Sequence, residues 1–157
     1  MDEITKLVEV EKIKRLKAKY MRCLDTKDWE GLESCFTPNA TSSYGDGAYS
    51  FEGTDAIMKF LRDSMSSHRF ISKHQVHTPE IDIRSETEAE GSWYLEDMVA
   101  QLDQGWTLEG TGIYRDDYEK QGGEWKLRHT GYARIFEKSR ALSQEEVASF
   151  KTRFEEN

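Results

Sequence analysis

Asp97 stands out in this sequence. In the run TEAEGSWYLEDMVAQL, residues 87–102, side chains alternate with period two. Ala89, Gly91, Trp93, Leu95, Asp97 and Val99 share one face, and Glu88, Glu90, Ser92, Tyr94 and Glu96 share the other. A carboxylate therefore falls on an apolar face, where it is rarely buried without a partner. Either that face turns to solvent, or Asp97 is held in a cavity for a purpose. His74 poses the same question beside Phe70 and Val76. It is either a hydrogen-bonded core histidine or a general base, because an unperturbed pKa of about 6.5 can be tuned by a neighbouring carboxylate. His77 completes an H-x-x-H pair with it. The two point to opposite faces of a regular strand and make poor co-ligands, so no metal is expected.

Two further candidates lie upstream. Ile13, Leu16, Tyr20, Cys23 and Leu24 form one stripe at helical spacing, so Tyr20 carries a hydroxyl into a buried face and needs a partner for it. The stripe stops at Asp25, which stands at the corner between two helices. As a turn residue it needs no further explanation; as a functional one it is a second carboxylate at a fixed position. Arg134 falls on the opposite parity from Trp125 and Leu127. It reads as a surface ion-pair residue unless a bulge, for which Gly131 is the candidate, re-aims it. Other chemistry is missing from the sequence. There is no G-x-S-x-G, no G-x-G-x-x-G, no phosphate-binding loop and no cysteine pair at zinc spacing. Cys23 and Cys35 both lie on helical apolar stripes and read as buried free thiols in a reducing compartment.

The elements that position these residues follow from periodicity. Residues 4–24 read as a helix. Asp28 caps a second over 29–36, closed by Pro38-Asn39. A hairpin is expected at 41–52, around Gly45-Asp46-Gly47 and carrying Tyr44. Thr54 reads as the cap of a third helix whose apolar face holds Ile57, Phe60, Leu61 and Met65. Beyond residue 68 the period switches to two. Strands are expected near 70–83, 87–102, 106–119 and 124–137, with a bulge or edge at Thr78-Pro79 and a turn at Gln121-Gly122-Gly123. Ser143 to Glu146 fits a capping box opening a terminal helix over about 144–155. Helices followed by a meander of long strands give an α+β plan. Its sheet is strongly bent and mainly antiparallel, a cone-shaped half-barrel with about three helices closing a deep apolar pocket. Gly110 and Gly112 leave room at the middle of their strand.

Length and composition set the outer limits. The chain has 157 residues, and we read it as a single domain over 1–157. An aromatic share of 11% speaks against disorder. A formal net charge of −8, with no basic block, speaks against nucleic acid and anionic membranes as partners. No secretory signal and no membrane span is read, which gives a cytoplasmic expectation. Tyr94 with Met98, and Tyr114 with Tyr118, are read as surplus aromatic surface on an outer sheet face, so a homodimer or homotrimer is expected.

The order of these motifs resembles a known family. Tyr20, Asp25 and Asp28-Trp29 are followed by Lys73-His74 and Ile81, then Gly91-Ser92-Trp93-Tyr94-Leu95-Glu96-Asp97, then Gly-Glu-Trp-Lys-Leu at 123–127 and His-Thr-Gly-Tyr-Ala-Arg at 129–134. Over residues 5–140 this is similar to the SnoaL-like branch of the nuclear transport factor 2-like superfamily, closest in pattern to its bile acid 7α-dehydratases. The resemblance implies a cofactor-independent lyase acting by dehydratase-type elimination on a hydrophobic, steroid-like or polycyclic small molecule. It also leaves open an isomerase, a polyketide cyclase-type enzyme or a non-catalytic binding or dimerisation domain. It implies Tyr20, Asp25, His74, Asp97 and Arg134 as catalytic residues, with Trp93, Phe60, Tyr44 and Tyr132 against the substrate. The Asp25–His74 pair also matches the dyads of scytalone dehydratase and hexachlorocyclohexane dehydrochlorinase. The former has a histidine where Trp93 stands here, and the latter a lysine where Tyr20 stands.

Overall fold

The first helix, α1 (Glu3–Thr26), is capped by Asp2, whose side chain accepts from the Thr5 amide. It runs two residues past its apolar stripe and ends at Lys27, in the left-handed region at φ 58°. Asp25 therefore sits in the last helical turn. The computed structural model describes residues 1–155. After α1 come α2 (Trp29–Glu33), β1 (Phe36–Tyr44), β2 (Tyr49–Glu52), α3 (Thr54–Met65), β3 (Phe70–Ile83), β4 (Glu88–Gln101), β5 (Trp106–Gln121), β6 (Glu124–Ala141) and α4 (Gln144–Ser149).

The six strands form one curved sheet in the order β2-β1-β6-β5-β4-β3, which does not close into a barrel. All neighbours are antiparallel except β1 and β6, which run parallel. Helices α1 and α3 lie against one face. Ile13, Tyr20 and Leu24 of α1 and Ile57 and Leu61 of α3 are buried with Leu95, Tyr114 and Leu127 of the sheet. Burying each such apolar side chain contributes about 1.5–3 kcal/mol, enough to hold the helices down. The expected α+β cone, with long strands after residue 68, is what forms. β3 spans the expected residues 70–83 and carries the expected bulge, with Thr78 at φ 42°.

Several boundaries differ. Helix α2 stops at Glu33 rather than residue 36, because Phe36 already pairs with Leu127 of β6; Pro38 lies inside β1 instead of closing a helix. Gly53, at φ 86°, takes the cap position of α3, and Thr54 instead donates its hydroxyl to the Thr37 carbonyl. The terminal helix has its capping box but ends at Ser149 instead of 155. It buries no residue, and one isolated turn is marginal without packing. Tyr114 and Tyr118 are not outer-face residues. The even positions of β5 face inward, and both tyrosines are buried there with Asp116.

Two bulges in β6 set the direction of the last strand. Tyr118 pairs with Leu127 and Asp117 with His129, so Arg128 is the extra residue; the pairing also skips Ile135 between Arg134 and Phe136. The first bulge changes the inward parity from Trp125 and Leu127 to Thr130, Tyr132 and Arg134. Arg134 thereby turns inward. Gly131, read from sequence as the candidate bulge, has another task. A Cβ there would lie 2.3 Å from the Ser43 carbonyl oxygen, so its glycine lets β1 approach β6.

Candidate active site

The concave face of the sheet, α1, α3 and the β1–β2 turn enclose a cavity of about 470 Å³. Seven aromatic rings line it, from Tyr20, Tyr44, Tyr49, Phe60, Phe70, Tyr114 and Tyr132. That size and lining suit a small ligand with flat apolar faces.

His74 enters the cavity from β3. Asp25, in the last turn of α1, lies behind it: its Oδ1 is 2.7 Å from His74 Nδ1. The same carboxylate accepts from the His74 amide at 2.8 Å and from the Ser72 hydroxyl at 2.8 Å. A carboxylate only accepts, so Nδ1 carries a proton and Nε2 is the ring nitrogen left to act on a ligand. The side chains of His74 and Asp25 are 11% and 22% exposed. The dyad is thus sheltered, with Nδ1 turned to Asp25. An acid at the C-terminal end of a helix opposes the helix dipole, and no basic residue in that turn offsets it. Asp25 is placed at a cost to its own helix and is held by β3.

Tyr20 and Tyr44 share a hydrogen bond, hydroxyl to hydroxyl, at 2.8 Å. Burial pushes both phenols up, Tyr20 with help from Tyr44 and Tyr114, so they are neutral donors rather than bases. One hydroxyl donates to the other, and the second keeps its proton for the cavity.

Asp97 and Arg134 meet across β4, β5 and β6. Arg134 Nη1 and Nη2 donate to Oδ1 and Oδ2 of Asp97 at 2.5 and 2.9 Å. Burial pulls the guanidinium down, but the hydrogen bonds and charge of Asp97 outweigh it and hold the group above its ordinary value. Gly110 makes the space: a Cβ there would lie 2.6 Å from Arg134 Nη1. The apolar face does not open to solvent at Asp97, which is 5% exposed. Both of its oxygens accept from Arg134, so it is an ion-pair partner and not a protonated donor.

Of the expected site residues, Tyr20, His74, Asp97, Arg134, Phe60, Tyr44 and Tyr132 all line this one cavity, with Asp25 directly behind His74. Trp93 does not line it. Its indole Nε1 donates to the Tyr118 hydroxyl at 2.9 Å, deeper in the core. That hydroxyl and Thr130 both donate to Asp116, which pairs with Lys17 at 2.8 Å; both charged side chains are fully buried. The Lys17 ammonium also sits 3.6 Å from the Tyr114 ring centre. This network supports the cavity floor, and the sequence reading missed it. A signal was present, since Lys17 lies four residues after Ile13 and three before Tyr20, on the buried stripe itself. Ser72 was also legible, sharing strand parity with His74. Among the described residues no cluster of His, Cys, Asp or Glu could hold a metal ion, and no helix is long and apolar enough to cross a membrane.

The SnoaL-like domain family matches residues 5–131. This chain belongs to it. Solved structures similar to this SnoaL-like domain share its cone-shaped fold. A candidate scytalone dehydratase from Novosphingobium aromaticivorans DSM 12444 is 24% identical, with a TM-score of 0.82 over 90% of this chain and 94% of that one. The hexachlorocyclohexane dehydrochlorinase LinA-type3 from Novosphingobium barchaimii LL02 is 14% identical, with a TM-score of 0.78 over 89% and 95%. At these identities the likeness is one of fold. Within the SnoaL-like domain, the chemistry rests on the geometry of this chain's own cavity.

Proposed function

We propose that this SnoaL-like domain is a cofactor-independent lyase that removes water from a hydrophobic, carbonyl-bearing small molecule. The observation that carries the reading is the His74–Asp25 pair: one ring nitrogen is fixed by a carboxylate, and the ring itself lines an aromatic cavity. Asp25 holds the tautomer and stabilises the imidazolium as it forms. Nε2 of His74 takes a proton next to the substrate carbonyl. A hydroxyl of the Tyr20–Tyr44 pair hydrogen-bonds the developing enolate oxygen, and the proton taken by His74 is handed to the departing hydroxyl, which leaves as water. Asp97 pairs with His74 across β3 and β4, so the Asp97–Arg134 ion pair shapes the sheet wall beside the base, each charge neutralising the other. The names of the structural neighbours, a dehydratase and a dehydrochlorinase, both denote eliminations and lend support to loss of a leaving group over isomerisation.

The test is a screen of neutral polycyclic hydroxy-ketones, followed by the absorbance of the conjugated enone formed on loss of water. His74→Ala is expected to lower the rate on any hit by about 10²–10⁴-fold, the worth of a positioned base. Asp25→Asn is expected to lose most activity too, because an amide can hold the wrong tautomer. Tyr20→Phe should cost less, about 3–4 kcal/mol at most, the worth of one donor at the developing oxyanion. No hit among such ketones, or an Asp25→Asn variant as fast as wild type, would contradict the reading.

A further inference from the structure

The lining of the cavity carries an uneven set of charges. Four charged residues besides His74 line it: Asp46, Asp97, Glu137 and Arg134. Three carboxylates against one guanidinium leave a formal −2 with His74 neutral, and the Asp25 carboxylate lies directly behind the ring. Arg134 is the cation an anionic ligand would need. It is already spoken for, with Nη1 and Nη2 on Asp97 and Nε 3.1 Å from Glu137 Oε2. The Asp46 carboxylate accepts from the Arg134 backbone amide at 3.2–3.3 Å, which brings a third acid close to the same residue. The Tyr132 ring lies 4.9 Å from the guanidinium carbon. The remaining polar groups of the wall are phenols and the Ser64 hydroxyl, which recognise a carbonyl or hydroxyl without needing a charge.

We infer that this cavity selects uncharged ligands and rejects carboxylates, with Asp46 and Glu137 as the residues that set the selection. The inference deepens the proposed lyase reading by naming the substrate class of the same cavity. It gives Arg134 the part of a partner to Asp97 and Glu137 rather than that of a binding group for a substrate carboxylate. A carboxylate entering here would face three acids, and could take the two-pronged edge of Arg134 only by displacing Asp97. Displacing Asp97 would leave a buried carboxylate unpaired. Steroid-like or polycyclic ketones and alcohols fit this wall; their carboxylic acid counterparts do not.

The test uses binding, so it does not depend on turnover. 2-Naphthol and 2-naphthoate have the same bicyclic frame and differ in charge at pH 7. Titration calorimetry on the intact protein at low salt is expected to show 2-naphthol bound at least about tenfold more tightly, the effect of like charges at about 10 Å in a partly screened site. In the double variant Asp46→Asn, Glu137→Gln the affinity for 2-naphthoate should rise about tenfold while that for 2-naphthol stays within about twofold. Equal or tighter binding of 2-naphthoate by the wild type overturns the inference, as does binding of neither probe, or a double variant with unchanged 2-naphthoate affinity. His74→Ala separates the two claims: it should keep the naphthol preference whether or not His74 is the base. A failed elimination with the preference intact therefore removes the lyase reading and leaves the selectivity standing.

Discussion

Lys17 and Asp116 show what a single side chain can cost this fold. Both are fully buried, and each is the other's charge partner. Lys17→Met should therefore destabilise the protein by about 3–5 kcal/mol, because it leaves Asp116 buried and unpaired. Asp116→Asn added to that variant should recover part of the loss, read as urea midpoints; a Lys17→Met variant as stable as wild type would show that the pair is not ionised in the fold. Glu9 is the matching case for pH. Its carboxylate binds Lys12 at 2.8 Å, Lys120 at 2.6 Å and the Trp125 indole at 2.6 Å, which together outweigh burial and hold it down at about 2 against an ordinary 4.5. A depressed acid stabilises the fold above its unfolded value and loses that contribution as pH falls. Wild-type stability should thus drop between about pH 4.5 and 2, and Glu9→Gln should flatten that part of the profile in acid-unfolding experiments. Asp97 and His74 were legible in the sequence because a polar residue on a period-two apolar face breaks a simple pattern. Lys17 was harder, since lysines flank it along α1 and only its helical phase marks it as buried.

At the scale of elements, the informative features are places where a strand departs from its period. The switch from helical period to period two gave the strands of the sheet, because half-buried strands must alternate. The β6 bulges at Arg128 and Ile135 left no comparable mark. Neither site carries a glycine, and the bulges are defined only by pairing with β5, a contact between strands that no local pattern encodes. The parity of Arg134 followed the bulge, so its inward direction could not be read from sequence. The expectation that Gly110 leaves room did become physical, since Arg134 fills that space. Gly110→Ala should push the guanidinium away from Asp97 and destabilise the protein by about 1–3 kcal/mol, as overpacking does. Denaturant unfolding within about 0.5 kcal/mol of wild type would show that the wall yields without strain.

At the scale of the molecule, the outer sheet face remains to be covered. Tyr94, 44% exposed, and Phe136, 61% exposed, line one shallow groove there with Met98, and Ile135 beside them is also exposed. We propose that this face joins two or three copies of the chain, a reading that no longer draws on the buried Tyr114 and Tyr118. Phe136→Asp should lower the mass seen by light scattering at micromolar concentration, and a wild-type monomer would contradict the proposal. The central claim concerns the cavity on the other side, where His74 takes a proton next to a carbonyl. It can be tested without the natural substrate, using 2-tetralone, a neutral bicyclic ketone with exchangeable protons beside its carbonyl. In deuterated buffer, proton NMR should show the wild type exchanging those protons well above the buffer rate, and His74→Ala should return the rate to that of buffer. Exchange by His74→Ala at the wild-type rate, or a wild type no faster than buffer, would contradict the account.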